Sequence, residues 1–471
     1  WVLANPEDAK PVMAELLSGA SVRIERTAEW LEAANLPRSD TAAITLNVTE
    51  QPEAGSPTRL VYHPRTHVIG VGCARGCDAA ELIELVEGSL NTAKIARGSV
   101  ACIASIDLKA DETAMNALAT HLDVPFRVFS AERLEQESPR LKNPSDVVFE
   151  EVGCHGVSEG AALAGVEPEG SLVVEKQKTA NATVAIARAP APVDPATVGR
   201  ARGHLSVIGI GPGQDAWRTP EATRLLAEAE DVVGYSLYLD IVAPHITGKT
   251  HHNFPLGEEQ ERVRFALELA GEGRNVALVC SGDAGIYAMG ALVYELLDRD
   301  SEHGGVSDPA RRVSIINAPG ISALQAASAR IGAPLGHDFC AISLSDLLTP
   351  WEAIEKRLHA AAEGDFVIAF YNPVSKRRRT QLAAAREILL KHRPADTPVV
   401  LGVNLGRPEE TVRVTTLEAL TVDEVDMLTT VLVGSSNSRA VMKGDGKPFV
   451  YTPRGYAKRI DAPKEQAGET V

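Results

Sequence analysis

Residues 204–213 read HLSVIGIGPG, a short apolar run that stops at three glycines and a proline. A run of this length, bounded by turn residues, reads as a β-strand inside a sheet covered on both faces. The pattern recurs downstream as DVVGY (231–235), NVALVCSG (275–282), RVSIINA (312–318), DFVIAFYN (365–372), VVLGVNL (399–405) and TTVLVGSS (429–436). Between these runs lie longer stretches with apolar residues three and four apart, such as QERVRFALELAGEG (260–273) and RTQLAAAREILLKH (379–392), which predict helices. Strands alternating with helices define the α/β class.

The first half repeats the texture. HVIGVGC (67–73), SVACIASID (99–107), FRVFS (126–130) and TVAIARA (183–189) read as strands, with helical patterns in DAAELIELVEGSLNTA and DETAMNALATHLD. The segment RAPAPVDPATVGRARG (188–203) is rich in Pro, Ala and Gly and has no apolar period, so residues 191–203 are expected to be a linker. A weaker break at 48–66 sets off residues 1–60 from an α/β domain at 66–190. A second α/β domain is expected over 204–440, with a mobile tail at 441–471. The chain starts at Trp1 without an initiator Met, which suggests processing or derivation from something longer.

Lys and Arg number 47 against 63 Asp and Glu, a formal charge of −16 over 471 residues. That balance argues against a general nucleic-acid binder or a protein lying on an anionic membrane. No apolar run approaches the ~18–20 residues of a membrane-spanning helix, and the first residues lack a signal-peptide pattern. Six cysteines spread over the whole chain are too sparse for a disulfide scaffold, so a cytoplasmic setting is expected.

Ligands of open α/β sheets bind beyond the carboxyl ends of the strands. Gly209, Gly211, Pro212 and Gly213 end the first strand of the second half, where they serve either a tight turn or close approach to a ligand. The proline and the lack of an acidic residue ending the next strand set this turn apart from a dinucleotide fingerprint. The strand 275–280 runs into Ser281-Gly282-Asp283-Ala284-Gly285-Ile286-Tyr287, in which Asp283 either caps the next helix or faces a ligand. Ser322 opens another helix, and Tyr371-Asn372 closes another strand. Glycines, Ser, Asp and Asn at four strand ends of one domain exceed what turn chemistry alone requires.

In the order GIGPG, YSLYLD, SGDAGIY, PGISALQAASARIGAPLGHDF, SLSDLLTPW, FYNP and TTVLVGSS, residues 204–440 resemble the tetrapyrrole methyltransferases, and among them the precorrin-3B C17-methyltransferases of cobalamin biosynthesis. APLGHDFCAISLSDLLTPW (333–351) carries the resemblance to that branch. The resemblance implies a two-lobed class III methyltransferase with S-adenosylmethionine in the cleft between lobes. It implies cofactor contacts from Gly209, Gly211, Pro212, Gly213, Ser281, Gly282, Asp283, Ile286, Tyr287, Ser322 and Ala323, with Tyr371, Asn372, Asn404 and Leu405 near the adenine and ribose. Many relatives have proline where Ala284 stands, which changes turn rigidity more than chemistry. The stretch TTVLVGSSNSR also departs slightly from the family's ending, which leaves ligand contacts by Ser435 and Ser436 open.

The reaction the family implies is methyl transfer to C17 of a reduced tetrapyrrole with contraction of the macrocycle. Transfer from a sulfonium needs alignment, and contraction needs groups that move protons and stabilise oxyanions. His337, Asp338, Ser345 and Asp346 are the candidates, with Asp240 a further one on the substrate side. Asp346 as a helix cap and His337 as a loop histidine are the competing readings. The substrate carries many carboxylates, and Lys376, Arg377 and Arg378 follow Tyr371-Asn372-Pro373 directly. They read either as carboxylate binders or as a solvated first helical turn, a position unfavourable for cations.

VIGVGCARGCDAAELIELVEGSL, ACIASIDLKADETAMNALATHL, EEVGCHGVSEGAALAG and KQKTANATVAIARA resemble the C-terminal domain of the cobalamin protein CbiG, which also occurs alone as CobE. Residues 1–37 resemble the CbiG region upstream of that domain. Its lactone-handling amino-terminal part is missing, so lactone opening is not expected here. Cys73 and Cys77 are spaced unlike a zinc ribbon, and no metal is expected. Gly72, Lys109, Glu112, Ser158 and Glu159 either line a cleft for an intermediate or cap helices.

The expected protein is therefore a CobE-like α/β domain fused to a C17-methyltransferase that uses S-adenosylmethionine. Its partner is a tetrapyrrole, with or without cobalt, and it is expected to form a homodimer through the methyltransferase domain. A non-catalytic tetrapyrrole carrier and a methyltransferase of other regiospecificity are the alternatives.

Overall fold

The computed structural model describes residues 1–456. It divides into two compact units: Trp1–His204 with Leu267–Arg274 and Asp300–Ser314, and Leu205–Ala266 with Asn275–Arg299 and Ile315 onward.

The first unit holds two sheets. Strands β1 (Val2–Leu3), β2 (Val22–Arg26), β3 (Ile44–Val48) and β4 (Arg59–His63) form a sheet in the order β1-β4-β3-β2. Val12, Leu31 and the inward faces of β2, β3 and β4 give this segment a core of its own. Strands β5 (His67–Cys73), β6 (Val100–Ile106), β7 (Phe126–Phe129), β8 (Ser171–Lys178), β9 (Ala182–Arg188) and β10 (Arg200–Ala201) form the second sheet, ordered β10-β7-β6-β5-β9-β8. β5, β6 and β7 are mutually parallel, and β9 returns antiparallel to β5. All seven residues of β6 are buried, because alternate side chains enter cores on opposite faces. Ile103 packs with Leu82, Val86, Met115 and Leu118 on one face, while Cys102, Ala104 and Ile106 pack with Leu134 and Ala161 on the other.

Helix Val157–Ala164 lies so close to β5 that a Cβ on Gly70 would stand 1.8 Å from the Ser158 carbonyl oxygen. The same helix buries Glu159, whose carboxylate accepts from the backbone N–H groups of Lys142, Asn143 and Lys176 and from the Asn143 amide. Burial alone would raise this carboxyl; the hydrogen bonds more than offset it and hold the group below the ordinary value. Glu159 thus ties the loop at 142–143 and strand β8 to this helix, and the Ser158 backbone packs on Gly70.

The proline-rich stretch expected to be a linker is tied down. Val193 N–H donates to the Arg65 carbonyl, Val198 is buried, and β10 pairs antiparallel with β7. Its composition does not exclude order: Pro195–Thr197 forms a short 3-10 turn capped by Asp194, and the extended residues beyond it meet their hydrogen-bond needs along a sheet edge.

The second unit has two lobes. In the first, β11 (His204–Gly209), β12 (Asp231–Tyr235), β13 (Thr250–Phe254), β14 (Asn275–Cys280) and β15 (Ser314–Ala318) follow the order β13-β12-β14-β11-β15, with β12 parallel to β13 and β14. Downstream come β16 (Gly332–Ala333), β17 (Phe339–Ser343), β18 (Val367–Tyr371), β19 (Pro398–Val403), β20 (Thr411–Thr416), β21 (Thr429–Val433), β22 (Arg439–Met442) and β23 (Pro448–Tyr451). The main sheet there is β17-β18-β21-β19-β20, and a small sheet runs β16-β23-β22. Part of the expected C-terminal tail, 441–456, therefore contributes strands; residues 457–471 lie outside the described residues. Helix Ala323–Ile331 starts just beyond β15 and packs Leu324, Ala327 and Ile331 against Ala369, Val400 and Leu432 of the second lobe. It joins the two lobes through apolar packing.

Candidate functional site

Strand ends of the two lobes enclose a cavity of about 310 Å³. Its first wall is the turn after β14. Gly282 and Gly211 exchange backbone hydrogen bonds of 2.8 and 3.1 Å, locking the β11 and β14 turns together. Behind them, a Cβ on Gly320 would stand 2.0 Å from the Gly282 carbonyl oxygen, and one on Gly209 2.7 Å from it. These glycines permit backbone to approach backbone. Asp283 fixes the arrangement: its carboxylate accepts from Gly285 N–H at 2.8 Å and Gly320 N–H at 3.0 Å.

The second wall comes from the ends of β18 and β19. Tyr371 accepts a hydrogen bond from Leu324 N–H, and its ring lies 5.1 Å from that of Tyr287, whose hydroxyl donates to the Ala341 carbonyl. Burial pushes the Tyr371 phenol up, so it stays protonated near neutrality. Arg407 donates from Nε to the Pro212 carbonyl at 2.9 Å and from its terminal nitrogen to the Ser281 hydroxyl at 3.0 Å, clasping the second lobe to the first. Tyr287, Asn372 and Asn404 all line the cavity, and all hold left-handed backbone, with φ of 50°, 48° and 49°. Non-glycine residues in that region cost energy, and three of them meet at this one cavity.

Of the fifteen residues expected to contact a cofactor, twelve line this cavity: Pro212, Ser281, Gly282, Asp283, Ile286, Tyr287, Ser322, Ala323, Tyr371, Asn372, Asn404 and Leu405. Gly209, Gly211 and Gly213 stand behind the wall instead, packed against backbone and the Arg407 side chain. The expected catalytic residues divide. Ser345 and Asp346 follow β17 on the side where Ser343 accepts from the Asn372 amide. His337 and Asp338 precede the strand, both exposed, and five strand residues put roughly 17 Å between the two pairs. Asp240 is exposed on helix Ser236–Val242. Asp346 accepts from the Gln381 amide. Within the basic run, Lys376 and Arg377 are exposed, whereas Arg378 turns inward and donates to the Ser345 hydroxyl and the Asn372 carbonyl.

The first unit offers less. A hollow of about 670 Å³ near Pro11, Glu15 and Thr58 has no converging functional groups. At the carboxyl end of β5, Glu112 accepts from Gly76 N–H and stands 3.6 Å from Lys109 Nζ. Burial, aided by Glu112, pushes the Cys73 thiol up to about 12. Among the described residues, no group of three His, Cys, Asp or Glu is placed to hold a metal ion, and no helix is long and apolar enough to cross a membrane.

The sequence profile of the Tetrapyrrole (Corrin/Porphyrin) Methylases matches residues 204–421. A precorrin-3B C(17)-methyltransferase from Sinorhizobium sp is 44% identical over 258 residues, covering 54% of this chain and 98% of that protein. The chain belongs to the tetrapyrrole methylases. Residues 67–187 match the profile of the Cobalamin synthesis G C-terminus. A cobalt-factor III methyltransferase from Priestia megaterium is 43% identical over 258 residues, which make up 55% of this chain and 46% of that protein, so the chain spans less than half the length of that relative. The crystal structure of the methyltransferase CobJ is 44% identical, covering 53% of this chain and all of that one, at a TM-score of 0.48.

This tetrapyrrole methylase also lines its cavity with residues that the strand-end patterns did not single out, among them Tyr238, Glu259, Arg262, Met289, Arg407 and Thr430. For Arg262 a signal existed. It lies four and eight residues before Ala266 and Ala270, on the buried stripe of helix Glu259–Gly271, where a charge is out of place.

Proposed function

We propose that the chain methylates C17 of precorrin-3B, or of cobalt-factor III, using S-adenosylmethionine, and contracts the macrocycle to precorrin-4 or cobalt-precorrin-4. The observation that carries this reading is the 44% identity that spans 98% of a relative named for C17 methylation. The cavity supports it: tyrosines and apolar side chains suit an adenosyl group, while the turns at Gly282 and Asn404 bring backbone groups close to a ligand.

S-adenosylmethionine supplies a methyl group on a sulfonium that leaves as a neutral thioether. The protein's task is therefore alignment. In this reading Gly282, Asp283, Ile286 and Tyr287 hold the methionyl part. Ser322 and Ala323 sit beside them, Tyr371, Asn372, Asn404 and Leu405 hold the adenosine, and the Arg407 clasp sets the width of the cleft. Ser345 is held by Arg378 and, with Asp346, handles protons as the ring contracts. His337, Asp338 and Asp240 serve the outer parts of a large macrocycle, and Lys376 and Arg377 meet its peripheral carboxylates. The chain is further read as cytoplasmic and as pairing through the methyltransferase part, where the exposed Leu347 and Leu348 are side chains that pairing would cover.

The test is incubation with isotopically methyl-labelled S-adenosylmethionine and precorrin-3B or cobalt-factor III, followed by mass spectrometry and NMR. A labelled methyl at C17 supports the reading. Binding of both ligands without transfer would make the protein a carrier, and a label elsewhere would change its regiospecificity.

A further inference from the structure

Arg262 is 2% exposed, lines the cleft, and is paired with no carboxylate among the described residues. One terminal nitrogen donates to the Pro255 carbonyl at 2.9 Å, and the other lies 3.4 Å from the Met289 sulfur, a weak acceptor. Its Nε is buried without any partner. Five N–H groups on a delocalised cation are thus met by one carbonyl and one thioether. A buried charge left this way is costly unless something supplies the counter-charge.

The other charged groups on the wall are already committed. Asp283 is held by two backbone N–H groups, Glu259 accepts from Gly257 N–H, and Arg407 is spent on Pro212 and Ser281. Arg262 is the cleft cation whose fork is left under-satisfied, and a planar carboxylate matches that fork.

We infer that Arg262 is the carboxylate receptor of the cleft, completed by a carboxylate that arrives with a ligand. The inference rests on the functional reading above, which provides two sources: the amino-acid carboxylate of S-adenosylmethionine and an acidic side chain of the macrocycle. Met289 and Pro255 hold the guanidinium in place from the protein side, so the ligand meets a preset donor.

The full chain is compared with Arg262→Met and Arg262→Lys. Calorimetry measures binding of S-adenosylhomocysteine and of its decarboxylated analogue, and tetrapyrrole binding is measured by absorbance titration. If the donor's carboxylate is the partner, the wild type prefers S-adenosylhomocysteine over the analogue by about 10- to 100-fold. Arg262→Met then abolishes that preference, and Arg262→Lys restores part of it. If the macrocycle supplies the carboxylate, S-adenosylhomocysteine binding is unchanged and tetrapyrrole affinity falls by a similar factor. Arg262→Met folded as judged by circular dichroism, with neither affinity moved by more than about twofold, would overturn the inference. These are binding readouts, so a protein that binds both ligands without methylating would refute the proposed activity and leave the receptor intact.

Discussion

Glu159 in the first unit and Arg262 in the second are both almost fully buried charges, and the fold treats them in opposite ways. Glu159 receives four hydrogen bonds from its own chain and closes the loop at 142–143 onto β8. Arg262 donates to one carbonyl and one sulfur. Glu159 is satisfied from within the fold, whereas Arg262 is left short inside the cleft, where the receptor reading has a ligand complete it.

The sharpest way to break the comparison is to crowd one glycine in each unit. Gly320→Ala, whose Cβ would meet the Gly282 carbonyl, is expected to cost about 3 kcal/mol or more and to abolish S-adenosylhomocysteine binding by calorimetry. Gly70→Ala should cost the first unit a comparable amount while the binding signal persists. Next comes Glu159→Gln, which sets an amide N–H₂ against donors and should cost about 2–3 kcal/mol in thermal or urea unfolding. Because the folded carboxyl lies below its ordinary value, its stabilisation is complete above the unfolded pKa of about 4.3 and is lost as pH falls through the folded pKa. The wild type should therefore lose more stability than Glu159→Gln on going from pH 6 to acid.

Arg407→Met removes two hydrogen bonds between lobes and is expected to weaken S-adenosylhomocysteine binding about tenfold. The smallest effect is local. Asn404→Ala in left-handed backbone should cost about 1 kcal/mol, and Asn404→Gly should not. Equal costs for the two would show that side-chain contacts, not backbone strain, govern that position.

The central strands were readable because buried parallel strands are written as apolar runs, as VACIASI in β6 and NVALVC in β14 show. Strand β13, THHNF, was not, since at the sheet edge none of its residues is fully buried and its composition looks like loop. The cavity's small-residue turns stood out in sequence through Ser281-Gly282-Asp283 and Tyr371-Asn372. The roles of individual glycines did not, because Gly209 and Gly213 are needed by backbone and side chains distant in sequence. Arg378 looked like one member of a basic run; only the fold shows it turned inward onto Ser345 and Asn372. The separation of His337–Asp338 from Ser345–Asp346 likewise depends on Phe339–Ser343, between them, forming strand β17.

The two residues of β10 have a practical consequence. They cover the outer edge of β7, and an uncovered strand edge is a template for unwanted association between chains. Cutting the chain at the proline-rich stretch near residue 190 would strip that cover, leaving an amino-terminal fragment prone to aggregate. A cut after residue 203 keeps β10 on that edge, but Leu267–Arg274 and Asp300–Ser314 belong to the same compact unit, so neither boundary yields the first unit whole.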